Sequence, residues 1–253
     1  MSKVPEVTVY FWIAKVLTTG MGETTSDFLV KTYDPVIVVA LAGLVLAGVL
    51  GLQFFVSRYQ PWVYWAAVVM VSVFGTMCAD VLHVQFGVPY VVSSGGFAVV
   101  LAVIFLLWYR SEGTLSIHSI HTPRREAFYW ATIIATFALG TATGDMTATT
   151  LHLGYFTSGV VFAVLFALPG LAHWKLGLNA IFAFWCAYII TRPFGASFAD
   201  WMGVSHARGG LNWGTGPVSL VLLVLIIGCV GFLAVTRKDV TSAATGDVAA
   251  AEA

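Results

Sequence analysis

Residues 129–145 read YWATIIATFALGTATGD, and the spacing of three residues in this stretch recurs along the chain. Trp130 is followed by Gly140 ten positions later and by Asp145 five positions after that. The same register occurs in FWIAKVLTTGMGETTSD (11–27), YWAAVVMVSVFGTMCAD (64–80) and FWCAYIITRPFGASFAD (184–200). Four occurrences in a chain with nine tryptophans indicate an internal repeat. The other motif residues are Trp12, Gly22 and Asp27; Trp65, Gly75 and Asp80; and Trp185, Gly195 and Asp200.

The composition indicates an integral membrane protein. Of 253 residues, 59% are hydrophobic and 9% are charged, whereas about 25% are charged in a typical soluble domain. So few charges would not cover the surface of a soluble globule of this length. The formal net charge of zero gives no reason to expect nucleic acid as a partner. We therefore expect the lipid bilayer and a small ion or solute as partners, and a homo-oligomer is compatible with the sequence.

Eight apolar segments are long enough to cross a bilayer, which takes about 20 helical residues. The first is the least apolar, because it contains Lys15, Glu23 and Asp27, but it carries the repeat motif. The predicted fold class is an all-α polytopic membrane protein, with eight transmembrane helices arranged as four tandem hairpins in one domain, 1–238. The predicted spans are 8–29, 35–57, 61–84, 88–110, 127–150, 153–174, 178–201 and 214–236, and the repeats are 8–57, 61–110, 127–174 and 178–236.

Basic residues flank the predicted spans mainly on one side, with eight against two on the other. The positive-inside rule then places both termini in the cytoplasm. The tail at 239–253 is small and polar, and we predict that it is disordered. The eight residues are Lys3, Arg58, Arg110, Arg124, Arg125, Lys175, Arg237 and Lys238, and the two are Lys31 and Arg208.

This orientation assigns a depth to the motif. Each motif tryptophan would lie near the cytoplasmic interface, where tryptophans concentrate. Fifteen helical residues at 1.5 Å each place the aspartate about 22 Å further out. All four aspartates should therefore lie at one level in the outer part of the membrane. The motif glycines suit close helix packing.

The motif aspartates have two interpretations. An ionised carboxylate inside a membrane costs about 2.5–3.5 kcal/mol at the centre, so four repetitions need a reason. In the functional interpretation they line a site that binds a cation or carries protons, together with Glu23, and we favour it for Asp80 and Asp145. In the structural interpretation each accepts hydrogen bonds from a neighbouring repeat and stabilises the bundle.

Other polar residues lie at helical spacing from the aspartates. Lys15, Thr19, Glu23 and Asp27 are four apart, so the acidic pair could bind a cation or form an ion pair with Lys15. His83 is three residues after Asp80, and His152 is seven after Asp145. Aspartate and histidine at such spacings can bind a metal ion such as Zn²⁺ or Mn²⁺, and either histidine could instead lie at the interface.

Arg192 precedes Pro193, which should kink the seventh span. Its simplest role is as a structural counter-ion of Asp200, eight residues later, and a gating or substrate-binding role is the alternative. Arg192 and Lys15 are the two basic residues inside the predicted spans, which contain five acidic residues. A net negative interior favours cations over anions.

Four tandem repeats with two apolar segments and one tryptophan each resemble a family of bacterial membrane proteins of unknown function defined by that repeat. The resemblance covers residues 8–236 and rests on the Trp, Gly and Asp positions. It implies a multi-pass protein of the bacterial inner membrane, and no particular activity.

Three hypotheses follow for function. The first is a transporter or channel for a cation, either a divalent metal ion or one coupled to protons. The second is a non-transporting assembly or sensor protein, in which the repeated aspartate is structural. The third is a membrane enzyme, or a haem or quinone protein, for which the histidines are the only support. We expect no enzyme, because the sequence has no nucleophile or nucleotide-binding motif. A bound metal ion is the cofactor that the histidines would support.

Overall fold

The computed structural model describes residues 2–240, and within them eight long α-helices account for most of the chain. Each observed helix coincides with one predicted span, with ends that differ by a few residues. Among the described residues no strand is present, so the all-α class is confirmed. The helices are α1 (Val9–Thr32), α2 (Pro35–Phe55), α3 (Pro61–Val84), α4 (Tyr90–Glu112), α5 (Pro123–Asp145), α6 (Tyr155–Leu176), α7 (Ala180–Gly203) and α8 (Thr215–Thr236).

Local sequence explains where several helices begin and end. The side chains of Asp34 and Asn179 accept hydrogen bonds from the first backbone N–H groups of α2 and α7, which satisfies donors that a helix start leaves unpaired. Proline follows the cap of α2, α3 and α5, where its missing N–H has no cost. Gly113 and Gly177 end α4 and α6 in the left-handed conformation that glycine adopts without strain.

The four motif helices, α1, α3, α5 and α7, form a closed ring. Each packs against two others in the order α1, α3, α5, α7 and back to α1. We call the end of the ring that contains Trp12, Trp65, Trp130 and Trp185 the Trp end. The end that contains Asp27, Asp80, Asp145 and Asp200 is the Asp end.

The four other helices lie outside this ring, and their packing differs from the predicted hairpins. The two helices of one repeat make few contacts with each other. Instead α2 packs on α3, α4 on α5, α6 on α7, and α8 on α1. Each outer helix thus covers the motif helix that follows it, and the last helix covers the first. The hairpin is a unit of sequence, while the packed pair joins two successive repeats.

Seven of the eight helices, all except α1, are long and apolar enough to span a membrane. The outer helices expose large apolar side chains such as Val36, Phe55 and Leu220, as expected of surfaces that face lipid. The charged residues of α1 lie largely inside the ring, with Lys15 and Glu23 buried. These are the features of an integral, multi-pass membrane protein.

The chain continues in an ordered form for two residues into the predicted tail. The backbone N–H of Glu6 donates to the carbonyl of Asp239 at 2.9 Å, and Tyr59 donates its hydroxyl hydrogen to the Asp239 side chain. Burial raises the pKa of Asp239, and the hydrogen bond from Tyr59 opposes that effect. The rest of the predicted disordered tail, 241–253, lies outside the described residues.

Candidate functional site

Each motif glycine lies against a side chain of the next repeat around the ring. The contacted residue is always seven positions after that repeat's motif tryptophan. A methyl group on Gly75 would come within 2.8 Å of the Phe137 Cβ, and at the other three positions it would overlap the neighbouring side chain. Close approach of this kind is what small residues permit between membrane helices. The contacts are Gly22 with Ser72, Gly75 with Phe137, Gly140 with Arg192, and Gly195 with Thr19.

The motif tryptophans fill the ring at the Trp end. Trp65, Trp130 and Trp185 are 1%, 2% and 4% exposed, so their rings face the interior of the ring of helices and not lipid, while their depth near the cytoplasmic interface stays a prediction. They pack with the aromatic residue that precedes each of them, which closes this end of the ring. Only Trp12 is half-buried. Tryptophans outside the motif, Trp62 and Trp174, have the exposure expected of interfacial residues.

Arg192 lies at the centre of the ring, completely buried, and contacts all three other motif helices. Its guanidinium donates to Glu23 Oε2 at 2.6 Å and to Thr141 Oγ1 at 2.7 Å. It also donates to Thr76 Oγ1, and to the Thr19 carbonyl at 3.0 Å. The predicted pairing of Arg192 with Asp200 is therefore wrong, since its ionic partner is Glu23.

Three of the Arg192 partners occupy one position of the repeat, directly after the motif glycine. This position holds Glu23 in the first repeat, Thr76 in the second and Thr141 in the third, with Ala196 in the fourth. The two threonines were not predicted from the sequence. The signal that could have identified them is that three of the four residues at this position are polar in an apolar helix.

Lys15 lies between the Arg192 cluster and the aromatic Trp end, and it is 1% exposed. Its Nζ is 3.9 Å from the centre of the Phe137 ring and 4.3 Å from that of Tyr188. Among the residues described, it has no hydrogen-bond partner. The predicted ion pair between Lys15 and Glu23 is therefore not formed, because Arg192 occupies Glu23. Cation–π contacts with the two rings are the main compensation for burial of this amine.

The motif aspartates converge at the Asp end of the ring. Asp80, Asp145 and Asp200 each interact electrostatically with Glu23 and with Asp27. None of these three has a hydrogen bond or ion pair to its carboxylate within residues 2–240. Asp27 differs, because it pairs with Lys31 one turn later on the same helix. The structure thus places all five predicted acidic residues at one end of the ring. Three of them have no hydrogen bond or ion pair in the described chain, although Arg208 interacts electrostatically with Asp145 and Asp200.

His83 is held within the connection from α3 to α4. Its Nδ1 lies 2.7 Å from the Val88 carbonyl and its Nε2 lies 3.2 Å from Ser93 Oγ, and its ring contacts that of Tyr90 at a tilt of 36°. α3 continues as far as predicted, so Asp80 and His83 are one turn apart, yet both ring nitrogens are already engaged. This arrangement is structural and does not support the predicted metal ligand.

His152 does not continue the line from Asp145 that was predicted. α5 ends at Asp145 and a π-helical turn, Met146–Thr150, follows it. This turn changes the helical period, and His152 lies beyond it, exposed, with a φ of 55°. In the described part of the chain, no group of three His, Cys, Asp or Glu side chains is placed to hold a metal ion.

A second buried ionic cluster, which was not predicted, lies where the N-terminus meets α2 and α5. Lys3 Nζ donates to Glu126 Oε2 at 2.7 Å and to the Phe54 carbonyl at 3.0 Å, and Gln53 donates to Glu126 at 3.0 Å. Glu126 is 1% exposed. From the sequence, Lys3 was predicted only to be one of the basic residues that flank the spans. In the structure, Lys3 fixes the N-terminal segment to the bundle.

A family model described as a Repeat of Unknown Function (DUF347) matches four successive segments of the chain, at residues 10–59, 63–114, 128–177 and 183–239. These segments correspond to the four predicted repeats, each with one motif helix and one outer helix. No curated protein and no solved structure matches the chain.

Proposed function

We propose that this chain, which belongs to the DUF347 repeat family, is an eight-span transporter that moves a cation by means of the carboxylates at the Asp end. All eight helices cross the bilayer, with α1 tolerated because its charges face the ring interior. Both termini are cytoplasmic in this proposal, which the distribution of basic residues supports. The Asp end then faces the outside of the bacterial inner membrane.

One observation carries the proposal: Asp80, Asp145 and Asp200 meet at one end of a buried ring without any ionic or hydrogen-bonding partner among the described residues. Asp200 is 6% exposed, while Asp80 and Asp145 are half-buried. Carboxylates inside a membrane are costly unless paired, so a cation or a proton is the partner that this cluster lacks. A purely structural role would require hydrogen bonds to neighbouring repeats, and among the described residues these three carboxylates make none.

Access to this site is one-sided. Below the aspartates, the ring axis is occupied by the Arg192 guanidinium, then by Phe137 and the Lys15 amine, and finally by the aromatic Trp end. The buried positive charge of Arg192 on the axis repels any cation that has entered from the Asp end. The protein is therefore a transporter that must rearrange this layer, and not an open channel.

Glu23 links the aspartates at the Asp end to the Arg192 guanidinium below them. It is held by Arg192 at 2.6 Å and interacts electrostatically with each unpartnered aspartate. A cation at the Asp end competes with Arg192 for the Glu23 carboxylate. Release of Arg192 also frees its contacts with Thr76 and Thr141 on α3 and α5. Cation binding is thereby coupled to the packing of all four repeats.

Protons are the coupling ion that this geometry favours. A single carboxylate can carry a proton, whereas a metal ion in a protein site needs several ligands in a fixed geometry. The described residues do not form such a set. A divalent metal ion as cargo would require that the aspartates move closer together. No chemical step is assigned to the protein, which we propose is not an enzyme.

The experiment is flux into proteoliposomes that contain purified protein, over a panel of divalent metal ions, monovalent cations and pH gradients. Asp80→Asn and Asp145→Asn should abolish the flux that the wild-type protein supports. Asp34→Asn is the matched control, because Asp34 lies on the same side but caps α2, and asparagine caps a helix equally well. A folded wild-type protein that moves none of these cations would refute the proposal and favour an assembly or sensor role.

A further inference from the structure

A cavity of about 450 Å³ lies at the Trp end, between α1, α6, α7 and the segment that connects α4 to α5. It is separate from the acidic site, which lies at the opposite end of the ring. Its size is that of a site for a small molecule. Its walls are mainly apolar, and its distinctive side chains are the aromatic residues Trp12, Phe166 and Phe184 and the polar residues Ser116, His118 and His173.

The cavity is a departure from the repeat pattern. The motif of the third repeat lies 65 residues after that of the second. By the same spacing, Gly170 and His173 on α6 are the equivalents of Phe105 and Trp108 on α4. On α4, both aromatic rings pack against Trp185 and bury it. On α6, the equivalent glycine and histidine leave that space open.

The open space accounts for the difference in exposure between Trp12 and Trp185. Trp12 is the counterpart of Trp185, yet it is only half-buried and contacts the α6 residue Phe166. A methyl group on Gly170 would have no atom within 4 Å. Gly170 and His173, in place of the two aromatic side chains of α4, leave a cavity beside Trp12.

His173 determines which kind of hydrogen bond a ligand in the cavity can make. Its Nδ1 lies 2.6 Å from the Leu178 carbonyl. A carbonyl only accepts hydrogen bonds, so Nδ1 carries the hydrogen and the Nε2 of the neutral ring is an acceptor. A ligand at this histidine must therefore donate a hydrogen bond, as a hydroxyl group does.

The other lining residues limit the ligand further. No Lys, Arg, Asp or Glu lines the cavity in the described chain, which disfavours a charged headgroup. The second histidine of the lining, His118, has its Nδ1 3.5 Å from a carboxylate oxygen of Glu6, which does not itself line the cavity. The aromatic walls suit a flat ring, since aromatic groups pack favourably face to edge or with offset faces. The site is also near the predicted membrane boundary, where an amphiphile could enter from the lipid.

We propose that this cavity binds a neutral, membrane-soluble amphiphile of the hydroquinone class, with its ring against Trp12 and Phe184 and a hydroxyl that donates to His173 Nε2. Binding alone is inferred, and no electron transfer is part of the proposal.

The test uses the purified full-length chain in detergent and two probes, decylhydroquinone and its dimethyl ether. Gly170→Phe restores the residue that α4 has and should fill the cavity. We expect it to bind decylhydroquinone about tenfold more weakly than the wild type in calorimetric titration. Gly48→Phe is the matched control, because Gly48 lies on an open face of α2, and it should leave the affinity unchanged. Ala167→Leu, at another lining position, replaces Gly170→Phe if that variant does not fold.

A separate comparison tests whether a hydroxyl group of the ligand donates to His173. The wild-type protein should prefer decylhydroquinone over the dimethyl ether, and His173→Ala should lose that preference. Equal affinity of the wild type and the filled variants would overturn the site. Equal affinity of the wild type for both probes would overturn the ligand class.

Discussion

Arg192 is the residue on which the interior of this protein depends. Its guanidinium is completely buried and joins four helices through Glu23, Thr76, Thr141 and the Thr19 carbonyl. A buried ion pair is only weak evidence of net stabilisation, because both charges have lost their hydration. Loss of one partner is a different matter, since it leaves the other charge unpaired.

Arg192→Met should therefore lower the free energy of unfolding by about 3–5 kcal/mol. The reason is that Glu23 would remain buried without its ionic partner. Thermal unfolding in detergent measures the change. Arg192→Met combined with Glu23→Gln should recover much of the loss, while Lys175→Met, at an exposed position, is the control. A double variant as unstable as the single one would show that Arg192 acts through its bulk and not through its charge.

The second prediction about a single residue concerns Lys15. Its amine lies against the rings of Phe137 and Tyr188, so Lys15→Met removes a buried polar group and nearly keeps the length of the side chain. We expect this variant to be at least as stable as the wild type, because replacement of buried charges by apolar groups is often neutral or stabilising. We also expect faster cation leakage through the ring in the flux assay. Unchanged leakage would mean that Lys15 is not part of the barrier.

At this scale, the sequence identified the acidic residues and the two bases but not their pairing. The motif placed the aspartates at one level, and the structure brings them together. Arg192 was matched with Asp200 because both are on one helix, two turns apart. Its actual partner, Glu23, is on another repeat, and contacts between repeats depend on helix rotation, which a single sequence does not reveal.

At the scale of the helices, the motif glycines control how closely neighbours approach. Each of the four lies against the next helix of the ring, whereas Gly48 and Gly51 on α2 have no atom within 4 Å of an added methyl group. The chain therefore contains matched sets of glycines in similar helical backbone, and they differ only in what surrounds them.

Gly140→Ala should destabilise the protein by about 1–3 kcal/mol, because its methyl group would overlap the Arg192 side chain. Gly48→Ala should be neutral or stabilising by up to about 1 kcal/mol, since alanine favours the helix. Both changes are measured by thermal unfolding in the same detergent. Equal effects of the two substitutions would contradict the close contact around the ring.

The helices themselves were predictable because length, apolar composition and the repeat all agree. Even α1, whose charges lower its hydropathy, was identified through its motif. The end of α5 was not predicted, since nothing in Met146–Thr150 marks a π-helical turn, and His152 was therefore misplaced.

At the scale of the molecule, the outer layer of helices closes through α8, which packs on α1. Ser219 Oγ on α8 donates to Thr24 Oγ1 on α1 at 2.8 Å. The repeat predicted four successive units but not that each outer helix covers the following unit. Tandem hairpins of this kind can pack either way with the same sequence pattern.

Thr24→Cys with Ser219→Cys should form a disulfide on mild oxidation, in a background without Cys78, Cys186 and Cys229. The two side chains are in contact, so a disulfide needs little backbone movement. A mobility shift on non-reducing gels measures the bond. Thr24→Cys with Ser94→Cys, on α4, is the control pair and should not form a disulfide. Failure of the first pair in a folded protein would contradict the packing of α8 on α1.

The central claim is that the unpartnered carboxylates at the Asp end bind a cation in exchange for protons. Equilibrium binding to purified protein, with simultaneous measurement of proton release, tests it most directly. The account predicts saturable uptake of a cation from the flux panel with release of protons by the wild type, and neither by the folded Asp80→Asn, Asp145→Asn double variant. Uptake that is unchanged in the double variant, or absent from a folded wild-type protein, would contradict it.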